Sequence, residues 1–209
     1  LLQPVEAGCF YVYGSHDADK AKADRINIQI EAGQAFGTGQ HETTAACLEA
    51  ITEYATTLKP TTILDLGTGS GVLALAAHKV WPEARVTASD IDPIAITVTR
   101  ENIEINKGTL RSGGNDGSGI KLAVADGLDD PIFQEDTPFD LITANILAGP
   151  LVSMAEEITK ALAPGGALVL SGLLVTQEKE VLDAYKARGL DIQGRIMKGE
   201  WLALKLLKS

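Results

Sequence analysis

Short apolar runs alternate with stretches of helical periodicity along most of the chain, and this alternation constrains the fold more than any single residue. Strands read at about 62–66, 85–89, 120–124, 139–144 and 166–170, with helices at about 43–57, 71–80, 93–106, 148–162 and 176–188. Such a pattern predicts a parallel, doubly wound α/β sheet with helices on both faces. Two more apolar runs, about 190–197 and 200–207, follow with no helix between them. They are expected to pair as a hairpin and place an antiparallel strand in the sheet. A plain flavodoxin-like or nucleotide-binding sheet shares the alternation, and the terminal hairpin disfavours it.

The first strand runs into LDLGTGSG, residues 64–71, with glycines at 67, 69 and 71 in a βα loop. Glycine lets backbone come close to a ligand. A dinucleotide fingerprint, GxGxxG, requires its third glycine at position 72, which is Val72. Taken alone, the trio is equally compatible with a structural turn. With Asp65 two positions before Gly67, however, the run resembles the turn of S-adenosylmethionine (AdoMet) methyltransferases built on a Rossmann-like sheet. The terminal antiparallel strand is a mark of the same fold.

At 209 residues, 45% hydrophobic and 22% charged, the chain reads as one soluble domain plus extensions. No apolar run approaches the roughly 20 residues that span a bilayer, and no signal-peptide order opens the chain, so a cytoplasmic location is expected. Cys9 and Cys47 are isolated and read as reduced structural thiols. His16, His41 and His78 are scattered, and no metal site is expected. A net charge of −10, from 28 acidic and 18 basic residues, argues against a nucleic-acid footprint and suits a basic protein partner. Solubility accounts for the same charge. The chain begins at Leu1 and contains only Met154 and Met197, so a segment upstream is expected to have been removed. Residues 108–119 hold five glycines and are expected to form a mobile surface loop.

Ligands of such sheets sit beyond the carboxyl ends of the strands where strand order reverses, so each strand end is a candidate. Asp90 ends the second strand about 20 residues past the glycine turn, and a carboxylate can accept both hydroxyls of a ribose. Ile91 would then lie against the adenine face. Asp92, directly before Pro93, reads as a helix N-cap. At the third strand end, Asp126 can accept an adenine amino group or cap a helix. Asp65 either orients the glycine loop or meets the cofactor's amino group through water. The fourth strand ends at Asn145, which can present its amide to a target nitrogen or cap the helix near Ala148.

Upstream lies AFGTGQHETT, residues 35–44, whose glycines, together with Gly33, surround Phe36 and precede a helix. Such a loop can fold over a ligand. Together with LDLGTGSG, SDIDP and ANILAGPL, it resembles the PrmA family, the methyltransferases of large-subunit ribosomal protein eleven, from about Phe10 to Leu207. That resemblance implies AdoMet as cofactor and a ribosomal protein as partner, with no direct nucleic-acid binding and no membrane. It places Thr44, Gly67, Asp90 and Asn145 on cofactor positions, beside Gly69 and Asp65 of the glycine turn, and assigns Phe36 and its glycines to site closure. Residues 1–42 then read as an N-terminal extension with the closing loop, and 43–209 as the methyltransferase domain. PrmA enzymes carry a separate recognition domain for which this chain has no room, and 108–119 looks like an insertion.

Enzymes of this fold that methylate planar adenine or glutamine nitrogens carry Asn-Pro-Pro-Tyr at the fourth strand end. Here the run is Asn145-Ile146-Leu147-Ala148, with no aromatic to stack on a planar group, which favours an aliphatic amine. The expected function is transfer of methyl groups to lysine or N-terminal amines, with Asn145 and a neighbouring backbone carbonyl holding the amine. His41 either accepts a proton as a catalytic residue or positions the loop. The alternatives are a small-molecule or RNA methyltransferase of the same fold and a non-catalytic AdoMet-binding module.

Overall fold

The computed structural model describes residues 3–31, 40–112, 114 and 117–209. Near the N-terminus β1 (Val5–Ala7), β2 (Phe10–Tyr13) and β3 (Ile26–Gln29) form a small sheet in which β2 pairs antiparallel with β1 and parallel with β3. No sequence expectation covered these strands, because three or four residues are too few to display a period. Then follow α1 (Gln40–Tyr54), β4 (Thr62–Leu66), α2 (Val72–Val80), β5 (Arg85–Asp90), α3 (Pro93–Ile105), β6 (Gly119–Val124) and β7 (Phe139–Asn145). The chain ends with α4 (Ala148–Ser153), α5 (Ala155–Ala161), β8 (Leu162–Leu174), α6 (Glu178–Lys186), β9 (Leu190–Lys198) and β10 (Trp201–Lys208).

The seven later strands form one sheet in the order β6-β5-β4-β7-β8-β10-β9. β4 through β8 run parallel, and β10 lies antiparallel between β8 and β9. The expected hairpin is present, turning at Gly199 with φ +61°. Its last strand is the inner one. Leu202, Ala203 and Leu204 of β10 are buried in succession, as suits a strand covered on both faces, whereas β9 after Leu190 alternates exposed with partly buried positions and forms the edge.

Alternating side chains divide the core between the two faces of the sheet. Ile63, Val86, Leu141 and Val169 pack with α1 and α2, while Leu64, Ile142, Leu168 and Leu204 pack with α4, α5 and α6. Val5, Phe10 and Ile28 of the small sheet join the first cluster beside Ile51 and Leu75. Each such side chain contributes about 1.5–3 kcal/mol on burial, so the N-terminal strands share the core of the larger sheet.

Several boundaries differ from expectation. The helix expected over 148–162 breaks at Met154, next to a Leu151 carbonyl that accepts the hydroxyl of buried Tyr185 at 2.8 Å. The helix expected over 176–188 begins as a 3₁₀ turn at Val175–Gln177, and the strand expected over 166–170 extends across thirteen residues. Nor is the 108–119 segment a free loop over its described part. Arg111 is buried, donating to the Val86 carbonyl at 3.1 Å and pairing with Asp136 at 3.3 Å, while Leu110 bridges to Ile120. A guanidinium that reaches a backbone carbonyl and a buried carboxylate can pin a polar segment that composition alone marks as loose. Among the described residues, no helix is long and apolar enough to cross a membrane, and no three His, Cys, Asp or Glu side chains gather in a way that could hold a metal ion.

Candidate active site

Successive strands pass from β4 to β5 to β6 on one side, then return to β7 on the other side of β4. Strand order therefore reverses beside β4, and the crevice outside its carboxyl end is where such sheets take ligands. A cavity of about 160 Å³ opens there. Its walls come from the glycine turn after β4, from Thr44 on α1, from Asp92, Ala95 and Val98 at the start of α3, and from Asn145 at the end of β7.

The glycine turn needs its glycines. Gly67, Gly69 and Gly71 all have positive φ, from +57° to +87°, where a Cβ costs energy. A Cβ on Gly69 would meet nothing within 4 Å, so bare backbone faces open space there. Gly71 precedes α2, and a Cβ on it would fall 2.7 Å from Thr99 Cγ2. Thr99 donates its hydroxyl to the Gly69 carbonyl at 2.8 Å, and buried Asn102 donates to the Ser70 carbonyl at 2.8 Å. In this way α3 grips the turn from behind.

Asp65 orients the loop. It is 1% exposed and accepts the hydroxyls of Thr68 at 2.7 Å and Thr143 at 2.8 Å. Burial pushes its carboxyl up to about 6, against the opposing pull of those two hydroxyls and the Ala74 N–H. Asp65 also lines the cavity, so both roles raised by the sequence remain geometrically open.

Asp90 is half-buried beside the turn, where Oδ2 accepts from Gly69 N at 2.9 Å and Oδ1 from Asp92 N at 3.0 Å. The two bonds fix its plane, and each oxygen keeps a further lone pair for a hydroxyl. Asp92 accepts from Ile94 N at 2.9 Å and caps α3 ahead of Pro93, as its sequence context suggested. It is Asp92 rather than Asp90 that reaches the cavity wall. Ile91 is 64% exposed and is not among the described residues that line the cavity. Asp126 is exposed after β6 and caps no helix, since Asp130 caps the 3₁₀ turn that follows.

Thr44 is buried and lines the cavity. Asn145 lines it too, and α4 is preceded by Leu147 with no side-chain cap, so the capping role considered for Asn145 is not used. His41 stands apart from the lining residues. Its Nε2 lies 3.3 Å from the Pro4 carbonyl, a contact that ties the start of α1 to the N-terminal segment. The closing loop expected around Phe36, including Gly33, Gly37 and Gly39, lies outside the described residues.

The sequence reading missed Glu31, which lines the cavity and whose N–H donates to Asn102 Oδ1 at 2.9 Å. No local pattern marks it, because its place depends on α3. Ala95 and Val98 had a signal, since they follow Asp92 at three-residue intervals on one helix face. Chemically the wall combines carboxylates with Val72, Leu73 and other apolar side chains, and among the described residues no lysine or arginine lines it. Such a wall is unfavourable to a pyrophosphate and favourable to a cation with an apolar body.

Comparison with known proteins agrees with this geometry. All of residues 1–209 match the family model described as ribosomal protein L11 methyltransferase (PrmA). A ribosomal protein L11 methyltransferase of Brucella suis is 49% identical over 205 residues, covering 98% of this chain and 69% of that protein. One from Agrobacterium fabrum is 48% identical over 207 residues, covering 99% and 68% respectively. Among solved structures, the ribosomal protein L11 methylase of Lactobacillus delbrueckii subsp. bulgaricus superposes with a TM-score of 0.82 at 29% identity, covering 100% of both chains. A Pyrococcus furiosus methyltransferase at 20% identity and TM-score 0.62 shares the fold. With a reversal-point cavity built on the GxGxG turn and a family match along its whole length, the chain belongs to the ribosomal protein L11 methyltransferase (PrmA) family of S-adenosylmethionine-dependent methyltransferases.

Proposed function

We propose that the chain transfers methyl groups from AdoMet to aliphatic amines of ribosomal protein L11, lysine side chains or the N-terminal amine, with Asn145 holding the acceptor. The observation that carries this reading is the place of Asn145 at the end of β7, lining the same cavity as the glycine turn with its amide unused as a helix cap. The substrate is supported by the family and by the names of relatives.

The residues present fit AdoMet. Glu31, Asp65 and Asp92 line a cavity suited to a cationic ligand, and the open space at Gly69 lets the ligand lie on backbone. Asp90, fixed by two backbone N–H groups, is the candidate for the ribose hydroxyls, with Ile91 and Asp126 at the adenine end and Thr44 closing the wall. When bound, the cofactor supplies an electrophilic methyl group on a sulfonium.

The protein's share of the chemistry is alignment. A lysine ammonium, with an unperturbed pKa of about 10.4, has no lone pair to offer, and transfer into a desolvated site favours its neutral form. The Asn145 carbonyl oxygen and the adjoining Ile146 carbonyl then accept the amine hydrogens and aim its lone pair. The proton left on the methylated nitrogen passes to solvent, so no dedicated base is required and His41 needs no chemical role. The acidic surface of the chain suits a basic protein substrate.

The test is incubation of the complete protein with labelled AdoMet and purified L11, alongside Asn145→Ala. The variant should lose transfer while binding AdoMet within about tenfold of the parent. Undiminished turnover in that variant refutes the role of Asn145. Labelling of RNA in place of L11 refutes the substrate.

A further inference from the structure

The Asn145–Ile146 turn is pressed between two residues that have no side chain. On the β8 side, Asn145 pairs with Ser171, and Ile146 N donates to the Ser171 carbonyl at 3.1 Å. The next residue, Gly172, has φ +90°, and a Cβ built on it would lie 2.2 Å from the Ile146 carbonyl oxygen and 2.8 Å from its carbonyl carbon. On the β4 side, a Cβ on Gly67 would fall 2.6 Å from Ile146 Cγ2. Carbon–oxygen contacts settle at about 3.3–3.6 Å, so a methyl group at position 172 must displace the Ile146 peptide or β8 by about 1 Å. The colliding atoms are backbone, which cannot rotate aside.

We propose that Gly172 is a positioning residue for the methyl acceptor: lacking a side chain, it lets the Ile146 peptide lie against β8 and so fixes the carbonyl and amide that receive the amine. This rests on the reading that the Asn145–Ile146 turn holds the acceptor. An error of about 1 Å at a reacting atom costs on the order of 100-fold in rate. Gly172 is not among the described residues that line the cavity, so its replacement acts on the site through the Ile146 peptide and leaves the glycine turn after β4 in place. Gly165 supplies an internal control. It lies in the same strand at φ +78°, and a Cβ there would meet nothing within 4 Å. Gly165→Ala therefore imposes the left-handed strain without the collision.

The experiment compares wild type, Gly172→Ala and Gly165→Ala in the complete protein. AdoMet affinity is measured by calorimetry and single-turnover methyl transfer is measured on ribosomal protein L11. Gly172→Ala should transfer at least tenfold more slowly with AdoMet affinity within about threefold, while Gly165→Ala matches wild type in both. Equal transfer by Gly172→Ala and wild type overturns the proposal. So does a parallel loss of affinity and transfer, which marks general disruption. If Gly172→Ala does not fold, Ile146→Ala tests the same turn by removing the side chain seated over Gly67. Slower transfer at unchanged affinity supports the proposal, and unchanged transfer overturns it. A wild-type protein that binds AdoMet but leaves L11 unmodified fails the substrate reading and this inference together, whereas active wild type with active Gly172→Ala fails the inference alone.

Discussion

Replacing Asp65 with asparagine removes a charge that the fold holds against its own solvation. The carboxyl is 1% exposed, and burial raises it from 3.8 to about 6. A shift of roughly two units corresponds to about 3 kcal/mol of differential interaction between the protonated and ionised forms. The folded value lies above the unfolded one. This contribution to stability is therefore fully present below about 3.8 and is lost as pH rises through about 6. At neutral pH the native state carries an ionised Asp65 at that cost, which the Thr68 and Thr143 hydroxyls only partly offset. The asparagine is nearly isosteric. Its oxygen can accept one threonine hydroxyl, and its NH₂ can donate to the other once that hydroxyl turns.

Urea unfolding of wild type and Asp65→Asn at a series of pH values is the assay. The stability of the variant relative to wild type should rise by roughly 2–3 kcal/mol between pH 4 and pH 7, accumulating steadily from pH 4 and levelling off above about pH 6. AdoMet supplies a functional counterpart. Its positive charge favours the ionised carboxylate that lines the cavity, so wild-type affinity should tighten as pH rises through about 6, while the variant's affinity should lack that step. A stability difference that stays constant across the whole range refutes the account of Asp65 as a buried, desolvated acid.

Two further substitutions test other parts of the structure. Asp136→Asn withdraws a carboxylate, 0% exposed, that pairs with Arg85 at 2.7 Å, Arg111 at 3.3 Å and Lys121 at 2.6 Å. It leaves two buried cations short of charge, so denaturant unfolding should show a loss of about 3–5 kcal/mol; a loss below about 1 kcal/mol would contradict the burial of that network. His41→Ala should leave kcat within about threefold, because the ring meets the Pro4 carbonyl instead of the cavity, and a hundredfold fall in steady-state methyl transfer would restore it as a catalytic group.

Much of this protein is determined locally and can be read from the chain. The alternation of strands and helices, the Gly67–Gly69–Gly71 turn, the Asp92–Pro93 cap and the closing hairpin each depend on residues a few positions apart, so each leaves a pattern in sequence. Asn145 was legible for the same reason, as a polar residue at the end of an apolar run. Other features needed the third dimension, because their partners are far apart in the chain. Glu31 enters the cavity only because Asn102, 71 positions later, takes its N–H. Arg111 pins a glycine-rich segment only because β5 and Asp136 meet it. The inner place of β10 follows from its double-sided burial within the assembled sheet. Asp65 shows the division within one residue. Its position before the glycines is a sequence fact, but the raised carboxyl and the hydroxyl partner 78 positions away exist only once β4 and β7 lie side by side. Local order is written in residue spacing, whereas desolvation and long-range hydrogen bonds are properties of the packed chain.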